Sequence, residues 1–376
     1  MSDKDNNKIP ILSFYSGGGF LDMGFEMGGF KIVWTNEIDP IFAKLHSAGI
    51  TSWRQSRGDG NKAEIFNTNS ITEVTSETIK LEAFKDEIPK HFGIIGGPPC
   101  QDFSLHGSMK GFAGERGKLT IVFFDRILEL KPTFFLMENV TGLTKSKETK
   151  KHLLNLLERV EKEYKVDFDT LNALDFGVPQ HRARVFFVGI RRDTIKHKTF
   201  DVNLEGKWFN WPTNQKYIGS EKKYKWPEPV RYGTKKVIKP KNIPIELCVK
   251  SCLISSEEAK KIANADEYFN LYVPKTKLRW IKEGQTNKPS FKRLHRYKFS
   301  PTACYGNNEV HLHPYEHRRL SVRETLRIQG VPDTYVLPKD LPLSNKFKMI
   351  GNGVPVPLAH AMAQSVMKFL KDNKIV

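Results

Sequence analysis

The sequence predicts a doubly wound, Rossmann-like α/β sheet followed by a second, smaller domain. From residue 9 to residue 192 short apolar runs alternate with helical patterns, the rhythm of parallel strands covered on both faces. A glycine-rich turn follows the first run, and after Arg192 the rhythm breaks into prolines, tryptophans and lysines. Strands are expected at 9–15, 31–36, 92–96, 133–138, 164–171 and 184–190. A helical stretch follows the glycine turn as far as Met27. Leu119 to Leu130 has the apolar spacing of a helix laid on the sheet, as does Lys150 to Tyr164 through Leu153, Leu154, Leu157 and Val160. Residues 207–245 have no regular period and mark the second domain. A last amphipathic helix carries Leu358, Ala361, Met362, Ser365, Val366, Phe369 and Leu370 on one stripe, after Gly351-Asn352-Gly353-Val354-Pro355. The expected division is 1–192, 193–345 and a returning segment 346–376.

Composition narrows the class. The 376 residues, 39% hydrophobic and 27% charged, suit a globular chain of about two domains at ~150 residues each. Cys100, Cys248, Cys252 and Cys304 form no regular framework, and Met1 to Pro10 is too polar for a secretory signal, so a reducing, cytoplasmic setting is expected. No stretch reaches the ~18 apolar residues of a membrane helix. The net charge is +18, and residues 191–317 hold 26 Lys/Arg against 13 Asp/Glu, which is +13. That segment interleaves Trp208, Phe209, Trp211, Tyr217, Tyr224, Trp226 and Tyr232 with its charges, as a surface meeting phosphates and bases would.

The first strand runs into Tyr15-Ser16-Gly17-Gly18-Gly19-Phe20-Leu21-Asp22. Such glycines permit a tight strand-to-helix turn and close ligand approach, and the helix start favours an anionic group. The second strand ends at Asn36-Glu37, about 20 residues on, where a carboxylate can hold ribose hydroxyls. Counted from Gly17, the third glycine of a dinucleotide fingerprint is replaced by Asp22, so the cofactor need not carry a pyrophosphate. S-adenosyl-L-methionine, with adenine, ribose and carboxylate but no phosphate, fits.

Cys100 lies in Gly96-Gly97-Pro98-Pro99-Cys100-Gln101-Asp102-Phe103-Ser104. Taken alone, a free cysteine reads as a small buried hydrophobe. Here it follows a strand end, on a turn whose two prolines fix φ. Two further strand-end segments, Glu138-Asn139-Val140 and Gln180-His181-Arg182-Ala183-Arg184, can converge on the same crevice. A thiol, a carboxyl and two guanidiniums are the set that methylation of cytosine C5 needs. A thiolate adds to C6 while an acid protonates N3, and the resulting enamine carbon takes the methyl group.

Those motifs together resemble the DNA (cytosine-5)-methyltransferase family, of the bacterial or phage type, in family order from Tyr15 to about Leu370 with a gap across the basic insert. The resemblance implies a methyltransferase sheet with a smaller DNA-recognition domain, acting on double-stranded DNA. By it Cys100 is the nucleophile and Glu138 the N3 partner, while Arg182 and Arg184 hold the flipped base and nearby backbone. Tyr15, Gly17, Gly19, Glu37, Pro98, Leu119, Asn352 and Val354 match positions around the cofactor. Arg319-Leu320-Ser321-Val322-Arg323-Glu324 through Gln329-Gly330-Val331-Pro332 resembles the segment that braces the recognition domain. Phe103 to Lys118 carries Gly107, Gly111, Gly114 and Gly117, as a lid closing over DNA would, with Ser104, His106 and Arg116 as expected contacts. Three positions depart from the family pattern: Phe20 replaces a glycine, Ser70 stands where an adenine-contacting aspartate is usual, and Asp102 occupies an often-glycine place.

Cys248 and Cys252 have no second ligand pair and read as one helix face, so no metal is expected. His311 and His313 read as alternating strand residues, and Arg293-Leu294 with Ser300-Pro301-Thr302 as a structural or DNA-backbone element. A monomer is expected, with a restriction endonuclease of the same system as a separate partner. Two other functions are open to this scaffold: a transfer RNA cytosine methyltransferase, whose usual Cys-Phe-Thr signature is absent, and a DNA-binding module without activity.

Overall fold

Short, fully apolar runs capped by glycines and polar turns build the centre of the molecule. The computed structural model describes residues 8–60, 63, 65–85, 87–99, 117–145, 147–195, 207–288, 290–302, 305 and 310–376. Six strands form one sheet: β1 (Pro10–Phe14), β2 (Lys31–Asn36), β3 (Gly93–Gly96), β4 (Phe134–Val140), β5 (Tyr164–Asn172) and β6 (Ala183–Arg191), in the order β2-β1-β3-β4-β6-β5. The first four are mutually parallel, whereas β6 runs antiparallel to both β4 and β5. All six lie where the apolar runs predicted them. The direction of β6 differs from the all-parallel expectation, and its first residues, not its last, lie beside the carboxyl end of β4.

Helices α1 (Phe20–Met27), α2 (Pro40–Ser56), α3 (Ser76–Phe84), α4 (Gly117–Leu130), α5 (Gly142–Lys145) and α6 (Lys147–Glu161) follow the first strands. α7 (Ser220–Lys223), α8 (Lys275–Leu278), α9 (Val322–Ile328), α10 (Leu343–Asn352) and α11 (Val356–Asp372) come later. One face of the sheet, through Ile11, Ile95, Leu136 and Val188, is covered by α1 and α11; the other, through Leu12, Ile94, Phe135 and Phe187, by α3, α4 and α6. Alternate residues of each strand therefore feed opposite cores, as the two-residue period requires. In α6 Leu154 is 45% exposed and Leu156 takes the buried place beside Leu153 and Leu157. The predicted stripe of α11 is buried at Leu358, Met362, Val366, Phe369 and Leu370, but Ala359 and Ala363 carry its closest contact. A Cβ on Gly24 would sit 2.4 Å from the Ala359 Cβ, and one on Gly28 2.6 Å from that of Ala363. Paired small residues four apart let the two helices meet backbone to backbone.

Past residue 207 the chain does not leave the sheet at once. Trp208 and Phe209 are buried against Phe369 of α11, and Asp167 of β5 accepts hydrogen bonds from both their amides and from the Trp211 indole. Tyr232 lies under the Arg293 guanidinium at 3.8 Å. Trp208 and Phe209, expected on a basic surface, serve packing instead. Residues 322–337 likewise return to α1 and α2, burying Val322, Leu326, Tyr335 and Leu337 among Phe20, Met23 and Leu45. Between these returns lies a smaller region with cores of its own: Val249, Cys252, Leu253 and Leu294 with Leu320 and Ile328, and Leu278 and Ile281 with β7 (Phe291–Arg293) and β8 (Val310–Leu312). Cys248 and Cys252 sit on two successive 3₁₀ turns rather than one helix face, and burial pushes both thiols up to about 12. No metal-ligating cluster occurs among the described residues. His311 and His313 alternate at β8 as expected; both are buried, and burial among cationic neighbours pushes His313 down to about 2. Arg293, 1% exposed, donates to the carbonyls of Ile281, Leu278 and His313, so it is structural and does not reach a phosphate. No helix among the described residues is long and apolar enough to cross a membrane.

Candidate functional site

The carboxyl ends of β1, β2, β3 and β4 and the start of β6 line one edge of the sheet, because Phe14 pairs with Asn36 and Gly96, Gly96 with Met137, and Val140 with Arg184. Tyr15–Gly19, Glu37 and Pro98 lie just past β1, β2 and β3, Glu138 lies within the end of β4, and Arg182 and Arg184 lie at the start of β6.

After β1 the backbone turns through two left-handed residues that only glycine adopts cheaply, Gly17 at φ 53° and Gly19 at φ 72°. Tyr15 shares that region at φ 56°, a conformation uncommon for a non-glycine residue, and its hydroxyl donates to the Leu119 carbonyl at 3.0 Å. Two expected cofactor residues are thereby joined across the edge. Glu37 accepts from the amides of Gly17 and Asp39, each at 2.9 Å, and pins the loop to the end of β2. Burial pushes its carboxyl upward, opposed by the Asp39 and Gly17 amides. A Cβ on Gly17 would meet nothing nearer than 3.9 Å, so this face of the loop is open. An open glycine face beside a carboxylate with lone pairs to spare is the donor and acceptor set that an adenosyl group with an amino-acid tail requires. Phe20 leaves the turn intact: it opens α1, is 1% exposed, and fills the space left by Gly353, where a Cβ would lie 2.2 Å from its ring. Its partner is thus the expected cofactor segment 351–355, in which Val354 is buried and Asn352 exposed. Ser70 is half-buried and shares a hydrogen bond with the Thr72 hydroxyl at 2.7 Å.

On β4, Glu138 and Val140 face one side, and in the antiparallel register Arg184 lies opposite Val140. Glu138 and Arg184 are therefore diagonal neighbours on one face, a span that a long guanidinium side chain bridges. The Arg184 Nε stands 3.0 Å from Glu138 Oε1. Glu138 is 7% exposed; burial holds its carboxyl above the ordinary range, opposed by Arg184 and then Arg182. The other oxygen, Oε2, lies 3.1 Å from where a Cβ of Gly97 would be, so the carboxyl covers the turn leading to Cys100. Asn139 donates to the Pro98 carbonyl at 3.4 Å and ties the same turn to β4. Arg182 lies at the start of β6, beside Ala183. It is 1% exposed and donates to the Gly351 carbonyl at 2.9 Å, joining the start of β6 to the C-terminal cofactor segment. Cys100, Ser104, His106 and Arg116, like Asp102, lie outside the described residues.

Ser321 and Glu324 form a capping box on α9, Glu324 also accepts from Arg318, and the buried Gln329 donates to the Ile350 carbonyl while accepting from Gln180. Sequence reasoning missed Asn139, the buried Asp22–His46 pair at 3.0 Å beneath the glycine loop, and Tyr335, whose hydroxyl donates to the Gly18 carbonyl. Asp22 was visible only as the wrong residue for a dinucleotide site. Tyr335 carried no signal, since its partner is 317 residues away.

Comparison with known proteins bears on the whole chain. The family model described as C-5 cytosine-specific DNA methylase matches residues 9–368. The Type II methyltransferase M.NmeDI of Neisseria meningitidis serogroup C is 38% identical over 380 residues, covering 98% of this chain and 86% of the relative. M.FnuDI of Fusobacterium nucleatum, also a Type II methyltransferase, is 31% identical over 371 residues, covering 97% and 96%. Among solved structures, a protein encoded within an E. coli prophage and described as a DNA modification methyltransferase superposes with a TM-score of 0.66 at 23% identity, covering 97% of this chain and 100% of that one. The Dnmt2 methyltransferase of S. pombe superposes at 0.58 and 15% identity over 97% and 99%. At such identities the two structures speak for the fold alone.

Proposed function

The chain belongs to the C-5 cytosine-specific DNA methylase family, and from that premise we propose which of its atoms carry the reaction. It is a sequence-specific DNA (cytosine-5-)-methyltransferase that uses S-adenosyl-L-methionine, of the kind found in restriction-modification systems. When bound, that cofactor supplies an electrophilic methyl group. The chain's own residues must make cytosine C5 nucleophilic and hold both partners.

Cys100 forms a bond from Sγ to C6 of an extruded cytosine, while Glu138 gives a proton to N3. With the cofactor bound, the electron pair released toward C5 would take its methyl group, the sulfonium leaving as a neutral thioether; a base would then remove the C5 proton as the Cys100 thiolate departs and N3 returns its proton to Glu138, restoring the ring. Glu138 suits this role because burial shifts its pKa upward, toward the protonated form, and Arg184 fixes the carboxyl's orientation at 3.0 Å. Tyr15, Gly17, Gly19 and Glu37 would hold the cofactor, together with Pro98, Leu119, Asn352 and Val354. Arg182 acts at one remove, by seating residues 351–354. Ser104, His106 and Arg116 are the proposed DNA contacts, and base readout belongs to roughly residues 193–316, with the basic excess supplying phosphate contacts. The working form is a monomer in the cytoplasm, and a restriction endonuclease of matching specificity acts as a separate protein.

The Glu138–Arg184 pair over the Gly97 turn is the observation that carries this reading. Purified protein with S-adenosylmethionine and random-sequence duplex DNA should leave a 5-methylcytosine at one sequence context by bisulfite sequencing, and none on transfer RNA. Cys100→Ser should abolish transfer and retain DNA binding in gel shifts. Binding lost in step with transfer would make Cys100 a structural thiol.

A further inference from the structure

The glycine loop is held from three directions, and one hold comes from the far end of the chain. Ser16 donates its amide to the Asn36 carbonyl and Gly17 to Glu37, both at the neighbouring strand end. The Gly18 carbonyl instead accepts from the Tyr335 hydroxyl at 2.8 Å, and this phenol is fully buried. The ring lies where α2 leaves room: a Cβ on Gly49 would be 2.1 Å from it, and it meets Phe20 edge-on at 5.5 Å. Tyr335 is itself fixed by its own backbone. Its carbonyl accepts from Arg323 at 2.7 Å, and Arg323 also binds the Ala263 carbonyl and Asn264 Oδ1 in the smaller region. Asn264 Oδ1 in turn accepts the Leu337 amide, while the Val336 amide donates to Ser52 of α2. Each group in this strut has a hydrogen-bond partner, and its tip is one oxygen on the loop.

We propose that Tyr335 is a positioning residue for the cofactor: its hydroxyl fixes the Gly18 peptide so that the neighbouring Gly17 amide stays on Glu37 and the open face of the loop is preformed. The inference rests on the reading of Tyr15–Gly19 as the cofactor cradle. A preformed loop spends less binding energy on ordering, so the hydroxyl acts on cofactor affinity rather than on the chemical step.

Tyr335→Phe removes that oxygen alone and keeps the ring on Gly49 and Phe20. The dissociation constant for S-adenosylhomocysteine, measured by calorimetry on the full chain, should rise about three- to tenfold, the effect of one net hydrogen bond. At saturating S-adenosylmethionine, kcat should stay within about twofold of the parent, since uniform binding is what is lost. Amide exchange of the peptide covering Ser13–Phe25 should quicken in the cofactor-free variant. A folded Tyr335→Phe protein with a lower melting temperature but unchanged affinity and exchange would overturn the proposal, leaving the hydroxyl a packing group. Glu37→Ala, measured beside it, separates the two readings. If Glu37→Ala binds S-adenosylhomocysteine normally, the cradle reading fails and the proposal with it; if it binds poorly while Tyr335→Phe binds normally, only the Tyr335 inference fails.

Discussion

At the scale of single residues, the site depends on burial acting on a carboxyl. Glu138 is enclosed between the Gly97 turn and β6, and desolvation disfavours its charged form more than Arg184 and Arg182 favour it. Its folded pKa therefore lies above the ordinary 4.5. Because the reaction uses the protonated form, activity is retained below that folded pKa and lost as pH rises through it, an alkaline limb displaced upward from that of an exposed glutamate. Single-turnover methyl transfer across pH should show the limb in the parent. Glu138→Gln should lower the rate by about 10²–10⁴ and lack the limb, since an amide has no proton to lose in this range; a limb that persisted would belong to another group. The residue types of this pair were legible in the sequence, and so was their convergence. The split between Arg184 on the carboxyl and Arg182 on Gly351 was not, because two arginines two positions apart read alike until one is buried against a distant carbonyl.

At the scale of elements, strand positions followed from apolar runs, while direction and closest packing did not. β6 is antiparallel although its composition resembles that of its parallel neighbours, since burial on both faces erases the periodic signal that could tell them apart. The seam between α1 and α11 is likewise invisible to a search for large apolar residues, being made of Gly24, Gly28, Ala359 and Ala363. Gly24→Ala places a methyl group 2.4 Å from one side chain and 2.6 Å from backbone atoms that cannot rotate away. Denaturant unfolding should show a loss of about 1–3 kcal/mol from overpacking, with Gly60→Ala, which meets nothing within 4 Å, as a near-neutral control.

At the scale of the whole molecule, charge and connectivity decide how the enzyme meets DNA. The excess of +13 in residues 191–317 should make binding steeply salt-dependent. A plot of log affinity against log salt should have a slope of about −0.9 per phosphate contact, hence more negative than about −4 for an interface of several contacts. A flat plot would contradict the placement of DNA against this region. By itself the sequence determined the sheet's strands, the glycine turn, the motif order and hence the family and its chemistry, because these are local patterns of residue type and spacing. Only tertiary structure decided which of two arginines meets Glu138, that Trp208 and Phe209 close the core, that Phe20 answers Gly353, and that Tyr335 reaches Gly18. Each of those pairs residues far apart in the chain, and shape complementarity between distant segments leaves no mark in local composition.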